Sequence, residues 1–172
     1  TIGSRKIRFL RDINPNSENL LPSVSIIVAA RNEERNIRKA LQSLLSLDYS
    51  HLQLILVNDR SEDSTGDILD EMKTGDPRLE ILHIRELPKG WLGKNHALWQ
   101  GSLKATGELL LFTDADVVME PDTLARAVSY FQAEKLDHLA ATPEAKMPSL
   151  FLNMFGVTFG FFFGIFTRPW KA

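Results

Sequence analysis

Apolar runs of strand length alternate with amphipathic stretches along most of this chain. The first run, residues 24–30, is apolar apart from Ser25 and predicts a strand buried on both faces. The stretch after it repeats apolar residues at helical spacing, at Ile37, Leu41, Leu44 and Leu45. We expect Asn32 to be the N-cap of this helix, with Glu33 and Glu34 in its first turn, where the helix dipole favours anions.

The same alternation continues to about residue 142 and predicts the fold class. Further strands are predicted at residues 53–58, 79–84 and 109–113, with a candidate strand at 139–142. Helices are predicted at about residues 64–72 and 95–105. A further helix is predicted from Pro121, as its first residue, to about residue 134, and its inward-facing residues would be Leu124, Ala127, Val128 and Phe131. Strands that alternate with helices indicate an α/β fold, a mainly parallel sheet covered by helices on both faces.

Both ends of the chain differ from this pattern. Residues 1–21 form a basic, turn-rich lead-in, residues 22–145 are the expected domain, and residues 146–172 form an apolar Phe/Gly-rich segment. Two interpretations of that segment remain open. It is a core or interface element, or it lies at a membrane surface or lipid-acceptor site, for which the flanking Trp170 and Lys171 are suitable.

Composition narrows the possible partners. The chain has 172 residues, enough for one domain, and a formal net charge of -2. Because there is no basic excess, nucleic acid is not expected as a partner. The sequence contains no cysteine, which excludes disulfides and thiolate metal sites.

Two carboxylates follow the predicted strand at residues 109–113. Asp114 and Asp116 are spaced i, i+2, so in an extended backbone both side chains point the same way. Two neighbouring carboxylates repel each other unless a cation lies between them. Oxygen ligands of this kind suit Mg²⁺ or Mn²⁺, which commonly share their coordination with substrate phosphates.

The ends of the first two predicted strands are also polar. The first strand is followed by Arg31, Asn32 and Glu33, and the second by Asp59, Arg60, Ser61, Glu62 and Asp63. If the first, second and fourth strands are neighbours, these groups converge on one crevice beyond the carboxyl ends of the strands, where open parallel sheets bind ligands. Taken singly, each group also fits a solvated turn, a helix cap or a chance pair.

A glycine-containing loop precedes the helix predicted at residues 95–105. Gly93 would let the backbone approach a ligand closely, and Lys94 could reach a phosphate near the helix N-terminus, although a solvated surface lysine explains it equally well. His96 is more simply a packing or surface histidine than a ligand. The sequence has neither a Gly-x-Gly-x-x-Gly motif after the first strand nor a Walker-type Gly-Lys-Ser/Thr, which argues against dinucleotide oxidoreductases and P-loop enzymes.

Together these motifs resemble a known family. The segments PSVSIIVAARNEE (22–34), LVNDRSEDST (56–65), GKNHALWQG (93–101) and TDAD (113–116) resemble, in order and spacing, the family 2 glycosyltransferases of GT-A fold. With Trp91 and Leu92 before Gly93, the chain is most similar to the membrane-associated branch that glycosylates hopanoid or carotenoid-type lipids. The resemblance covers roughly residues 22–145.

The resemblance implies roles for particular residues. Asp59 would hydrogen-bond the uracil edge of a UDP-sugar, and Lys94 would lie near the base or diphosphate. The loop along the nucleoside would be formed by Ala29, Ala30, Arg31 and Glu33. Asp114 would contact ribose and metal, and Asp116 would bind the metal, Mg²⁺ or Mn²⁺, which offsets charge on the departing diphosphate.

The resemblance also implies a reaction and a location. The reaction would be inverting transfer to a hydroxyl acceptor, a lipid among the candidates, by a membrane-associated protein with a cytoplasmic catalytic domain. The family's general base lies well downstream, and nothing after Ala145 matches it, so we expect this chain to be the N-terminal donor-binding portion.

Two rival functions fit less of the sequence. A sugar-nucleotide pyrophosphorylase normally has a Gly-rich, Arg-containing loop after its first strand, and that loop is missing here. A receiver-like signalling module could be phosphorylated on Asp59, but the later strand-end lysine that it needs is not evident.

Overall fold

The computed structural model describes residues 9–15, 21–73, 75–144 and 149. Its strands are β1 Val24–Ala30, β2 Leu52–Asp59, β3 Leu79–Ile84 and β4 Leu109–Asp114. Its α-helices are α1 Ile37–Leu45, α2 Thr65–Lys73, α3 Gly93–Ser102 and α4 Thr123–Ala133, and a 3₁₀ turn covers Leu10–Asp12. The strands form one parallel sheet in the order β3-β2-β1-β4. The predicted α/β class is confirmed, whereas the Phe/Gly-rich stretch at residues 150–166 lies outside the described residues.

The register of the sheet brings three strand ends together. Ala29 in β1 lies level with Val57 in β2 on one side and with Asp114 in β4 on the other. The first, second and fourth strands are therefore neighbours, as the converging motifs required. We call the edge of the sheet at which β1, β2 and β4 end the carboxyl edge.

Helices cover the two faces of the sheet unequally. The larger core lies between the sheet and α1, α2 and α4, and contains Ile26, Val28, Leu54, Leu56, Leu41, Leu69 and Leu124. A smaller core on the opposite face packs α3 against Ile27, Ile55 and Val57. On that face the β4 side chains Leu110 and Phe112 are 47% and 49% exposed. The expected covering of both faces is thus incomplete at β4 within the described residues.

Several predicted boundaries need correction. The first helix begins at Ile37, five residues after Asn32. The helix α4 begins at Thr123 and not at Pro121. Pro121 lies in the preceding turn, where its carbonyl accepts a hydrogen bond from the Asp48 amide. The candidate strand at residues 139–142 is not a strand. In α4 the fully buried positions include Ala125 and Ser129, whereas Ala127 and Phe131 are only half-buried.

The predicted helix at residues 95–105 begins earlier and ends earlier than expected, at Gly93–Ser102. This shift places Gly93 and Lys94 inside the first turn of α3, next to the carboxyl edge. In the part of the chain described here, no helix combines the length and the apolar character needed to cross a bilayer.

Candidate functional site

The loops that leave β1 and β2 are tied together by hydrogen bonds at the carboxyl edge. Asn32 has a φ of 56°, a left-handed conformation that asparagine tolerates better than most residues. This turns its backbone N–H towards Ser61 Oγ, at 3.1 Å, and its Oδ1 towards the Glu62 amide, at 2.9 Å. Asn32 is therefore a bridge between loops and not the helix N-cap that the sequence predicts.

The next residues continue this connection. The Glu33 amide donates to Thr65 Oγ1 at 2.8 Å, and the Glu34 amide donates to Asp63 Oδ2 at 3.1 Å. In the opposite direction, the Ser64 amide donates to Glu34 Oε2 at 3.2 Å. We call these hydrogen bonds between residues 32–34 and 61–65 the loop clamp.

Asp63 accepts one bond of the loop clamp and further hydrogen bonds from within its own loop. Besides the Glu34 amide, it accepts from the backbone N–H and the hydroxyl of Thr65, at 3.0 Å and 2.5 Å. Partial desolvation acts to raise the pKa of Asp63, but the hydrogen bonds from Thr65 and Glu34 outweigh it and lower the pKa below its ordinary value. The clamp is thus built around a carboxylate that stays ionised at neutral pH.

Asp59, the last residue of β2, is buried at this edge, with 3% of its surface exposed. Its two carboxylate oxygens accept from Arg60, at 2.8 Å from Nε and 3.2 Å from Nη2. Arg60 has a φ of 55°, and its amide donates to the carbonyl of Ile84 in β3. A buried carboxylate needs such pairing, because an isolated one is costly to desolvate.

Gly93 at the start of α3 packs directly on this ion pair. A Cβ at Gly93 would lie 2.6 Å from both Asp59 Oδ2 and Arg60 Nη2. No side chain fits there without moving the pair. Glycine at this position is therefore explained by the close approach of α3 to Asp59, which the sequence alone did not reveal.

The end of β4 is much more open than the end of β2. Asp114 and Asp116 are both exposed, and the buried Ala115 lies between them. Asp116 lies in a turn beyond the strand, but the alternation of exposed and buried residues continues to it. The ammonium of Lys94 forms a hydrogen-bonded ion pair with Asp114 Oδ1. Because both side chains of this pair are about 60% exposed, it contributes little to folding.

The remaining predicted site residues lie around this edge in different environments. Ala29 is half-buried on the α3 face beside Asp114, whereas the side chain of Ala30 is fully buried in the larger core and only its backbone could reach a ligand. Arg31 is exposed at the start of the loop. The structure thus brings Ala29, Asp59, Lys94 and Asp114 to one side of the sheet, with Asp116 just beyond it.

The carboxylates at the end of β4 fit a divalent metal that a ligand helps to coordinate. No group of three or more metal-ligating side chains occurs in the residues that the structure describes. Two exposed aspartates are instead the kind of ligand with which proteins hold Mg²⁺, by one or two carboxylates together with substrate phosphates.

His96 and the aromatic residues near it belong to the packing of α3. His96 is 7% exposed, its ring meets Trp91 edge-on at 5.3 Å, and its Nδ1 has no hydrogen-bond partner among the described atoms. Trp91 in turn stacks on Trp99 at 6.2 Å. His96 is therefore buried against Trp91, as the interpretation as a packing histidine expects.

An open groove runs beside these residues, between α3 and β4. It has a volume of about 250 Å³ and is lined by Asn95, Leu98, Trp99, Ser102 and Phe112. The groove lies on the same face of the sheet as Asp59 and Asp114, away from the strand ends.

Sequence reasoning missed Asn58 as part of this edge. Asn58 Nδ2 lies 3.1 Å from His83 Nδ1 in the adjacent strand, and His83 Nε2 lies 3.0 Å from Asp70 in α2. The turn at residues 58–61 is therefore anchored from β3 and is not the simple solvated turn that its composition also fits. The signal was the polar Asn58 at the end of an otherwise apolar strand.

Comparison with solved structures places this arrangement in a known fold. The chain matches a Pyrobaculum calidifontis mannosyltransferase, solved in complex with GDP-Man and Mn²⁺, with 28% identity and a TM-score of 0.64 over 88% of this chain and 43% of that one. It also matches S. aureus TarS in complex with UDP-GlcNAc, with 25% identity and a TM-score of 0.56 over 74% of this chain and 37% of that one. The fold is therefore of the GT-A type.

Comparison with curated sequences gives the family. A β-monoglucosyldiacylglycerol synthase of Trichormus variabilis is 37% identical over 67% of this chain, and a probable glycosyltransferase, YdaM, of Bacillus subtilis is 37% identical over 63%. The chain spans about a quarter of the length of these relatives. The model of glycosyl transferase family 2 matches residues 25–168. Since that match covers well over half of the sequence, the chain belongs to glycosyltransferase family 2.

Proposed function

We propose that the carboxyl edge binds a nucleotide-diphospho-sugar, with UDP as the expected nucleotide, together with Mg²⁺ or Mn²⁺. The observation that carries the proposal is the convergence of two unlike acidic sites on one face of the sheet. One is the buried Asp59, and the other is the exposed pair Asp114 and Asp116. Gly93 and Lys94 connect them, because Gly93 packs on Asp59 while Lys94 pairs with Asp114.

The buried acid suits the nucleoside. A carboxylate held by Arg60 presents a fixed hydrogen-bond acceptor, which is what recognition of a base edge requires. The backbone of Ala30 and Arg31, at the end of β1, would lie along the nucleoside, with the loop clamp holding Glu33 behind it. The solved relatives bind GDP-Man or UDP-GlcNAc, so both uridine and guanosine nucleotides belong in the test.

The exposed acids suit the metal and the diphosphate. Asp114 and Asp116 would hold the ion, and Lys94 would exchange its contact with Asp114 for one with a phosphate oxygen. When bound, the metal would act as a Lewis acid that offsets charge on the departing diphosphate.

The acceptor half of the reaction is a proposal about the whole protein. We infer inverting transfer to a hydroxyl group, with a general base outside residues 1–145. A relative whose name is β-monoglucosyldiacylglycerol synthase supports a lipid as acceptor, and with it a membrane-associated protein whose catalytic domain is cytoplasmic. We also propose that the Phe/Gly-rich residues 146–172 contact the membrane surface or the lipid acceptor.

Isothermal titration of the 172-residue chain with UDP and with GDP, each with and without Mn²⁺, tests this function. We expect one nucleotide to bind, and Mn²⁺ to strengthen its binding at least about tenfold, because a metal held by Asp114 and Asp116 would offset the charge of the diphosphate. Asp116→Asn is expected to abolish the effect of Mn²⁺ and to leave metal-free binding unchanged.

Asp137→Asn is the matched control, since it makes the same chemical change at an exposed aspartate after α4. It should behave like the unmodified chain in every titration. If neither nucleotide binds under any condition, or if Asp116→Asn retains the full Mn²⁺ effect, the proposed function is wrong.

A further inference from the structure

A chain of three polar side chains leads from the surface of α2 to the turn beside Asp59. Asp70 Oδ1 lies 3.0 Å from His83 Nε2, and His83 Nδ1 lies 3.1 Å from Asn58 Nδ2. At the inner end, Asn58 Oδ1 accepts from the Ser61 amide at 3.2 Å. Asn58 is only 8% exposed, so its amide has few alternatives to these partners.

These contacts fix the orientation of each group. Because the Asn58 carbonyl accepts from the Ser61 N–H, its NH₂ group must point at His83. His83 Nδ1 is then the acceptor and carries no hydrogen, so Nε2 carries the hydrogen and donates to Asp70. These donor and acceptor roles fit a neutral imidazole with its hydrogen on Nε2.

Gly66 makes room for this arrangement. A Cβ at that position of α2 would lie 2.8 Å from Asn58 Nδ2 and 3.8 Å from His83 Cε1. The amide of Asn58 is therefore enclosed between α2 and β3, and it cannot rotate without losing its bond to the Ser61 amide.

We propose that His83 is a positioning residue for the nucleotide site. While its imidazole is neutral, His83 holds Asn58, and Asn58 in turn holds the turn that carries Asp59 and Arg60. The predicted effect on nucleotide affinity rests on the proposed function. A proton on His83 Nδ1 would face the Asn58 NH₂ group, so that two hydrogen-bond donors would oppose each other. Asn58 would then rotate and release Ser61, and nucleotide affinity would fall as the pH falls.

Charged residues flank His83 on α2 and just after β3. Asp70 faces the ring from α2, and Asp67 and Lys73 lie one turn away on the same side of that helix. Arg85 follows two residues after His83 in the sequence. From β2 the ring meets the neutral Asn58, and its neighbours on the same face of β3 are the apolar Leu79 and Ile81.

Two substitutions separate the acceptor role of His83 from its titration. His83→Asn places a carbonyl oxygen close to the position of Nδ1 and cannot gain a proton, whereas His83→Leu removes the acceptor altogether. Between pH 7.5 and pH 5.5, the range in which imidazoles ordinarily protonate, we expect UDP affinity with Mg²⁺ to fall about fivefold to tenfold more in the unmodified chain than in His83→Asn.

Protonation of the terminal phosphate of UDP, whose pKa is about 6, weakens binding in every variant, and His83→Asn should show only that loss. His83→Leu should bind about tenfold more weakly than His83→Asn at both pH values. A second readout needs no ligand. Exchange protection of the Ser61 amide, corrected for the intrinsic rate at each pH, should fall with pH in the unmodified chain and stay constant in His83→Asn.

The outcomes distinguish this inference from the proposed function. If His83→Leu matches the unmodified chain in both readouts, or if His83→Asn loses affinity and protection in parallel with it at low pH, the role of His83 is overturned. If no nucleotide binds but Ser61 protection follows the predicted pattern, the proposed function fails while the hold of His83 on the turn is supported.

Discussion

The two acidic parts of the carboxyl edge are built in opposite ways. Asp59, at the end of β2, is buried, paired with Arg60 and held between Gly93 and a loop fixed by the loop clamp. Asp114, at the end of β4, is exposed and has the flexible Lys94 as its ion-pair partner. The first part is complete without a ligand, whereas the second is arranged so that a ligand and a cation can complete it.

This difference matches what each part would have to bind. A base edge is recognised by a fixed hydrogen-bond pattern, so pre-organisation lowers the entropic cost of binding it. A metal–diphosphate complex brings its own charge and much of its own coordination, so the protein needs only accessible carboxylates and a mobile cation. Substitutions in the first part should therefore change the stability of the protein, and those in the second should change only ligand binding.

The largest expected effect is on the loop clamp. Asn32→Ala should lower the free energy of unfolding by about 2 kcal/mol, because alanine is strained at a φ of 56° and the Glu62 amide loses its acceptor. Asn32→Gly tolerates the backbone conformation and should lose about 1 kcal/mol. Urea denaturation of the three chains measures both values.

Lys94→Met is the matching substitution in the open part. Because its ion pair with Asp114 is mostly exposed, the stability should change by less than about 0.5 kcal/mol. Equal losses of stability in Asn32→Ala and Lys94→Met would contradict the division into a pre-formed and an open part.

A smaller effect is expected where the two parts meet. Gly93→Ala should weaken nucleotide binding about tenfold, or about 1.4 kcal/mol, because the new methyl group displaces the Asp59–Arg60 pair. Gly75→Ala is the control, since nothing lies within 4 Å of a Cβ at that position. Nucleotide titration of the two variants measures the difference, and unchanged affinity in Gly93→Ala would show that the position of Asp59 does not matter for binding.

The sequence predicted the parts of this site that follow from strand periodicity. Continuous apolar runs located β1 and β2, and the parallel α/β pattern required the ends of β1, β2 and β4 to share an edge. Asp59 and Asp114 could therefore be predicted to converge if the first, second and fourth strands are neighbours, and the strand order and the register of Ala29 with Asp114 meet that condition.

The parts that were missed depend on loop geometry and close packing. Asn32 has the composition of a helix N-cap, but its left-handed backbone turns it towards Ser61 and Glu62 instead. The role of Gly93 appears only when α3 is seated against Asp59. The exposure of Phe112 likewise depends on which elements pack beside β4, which the apolar pattern of that strand does not encode.

Paramagnetic broadening by Mn²⁺ tests the central claim most directly. Amide spectra of the 172-residue chain should be recorded with UDP and Mg²⁺, then with a trace of Mn²⁺ added. We predict that UDP shifts the amides of Asp59 and Arg60, and that Mn²⁺ selectively broadens those of residues 114–117 only when the nucleotide is present. Broadening centred elsewhere, or broadening at residues 114–117 that persists unchanged in Asp116→Asn, would contradict the assignment of the metal to the end of β4.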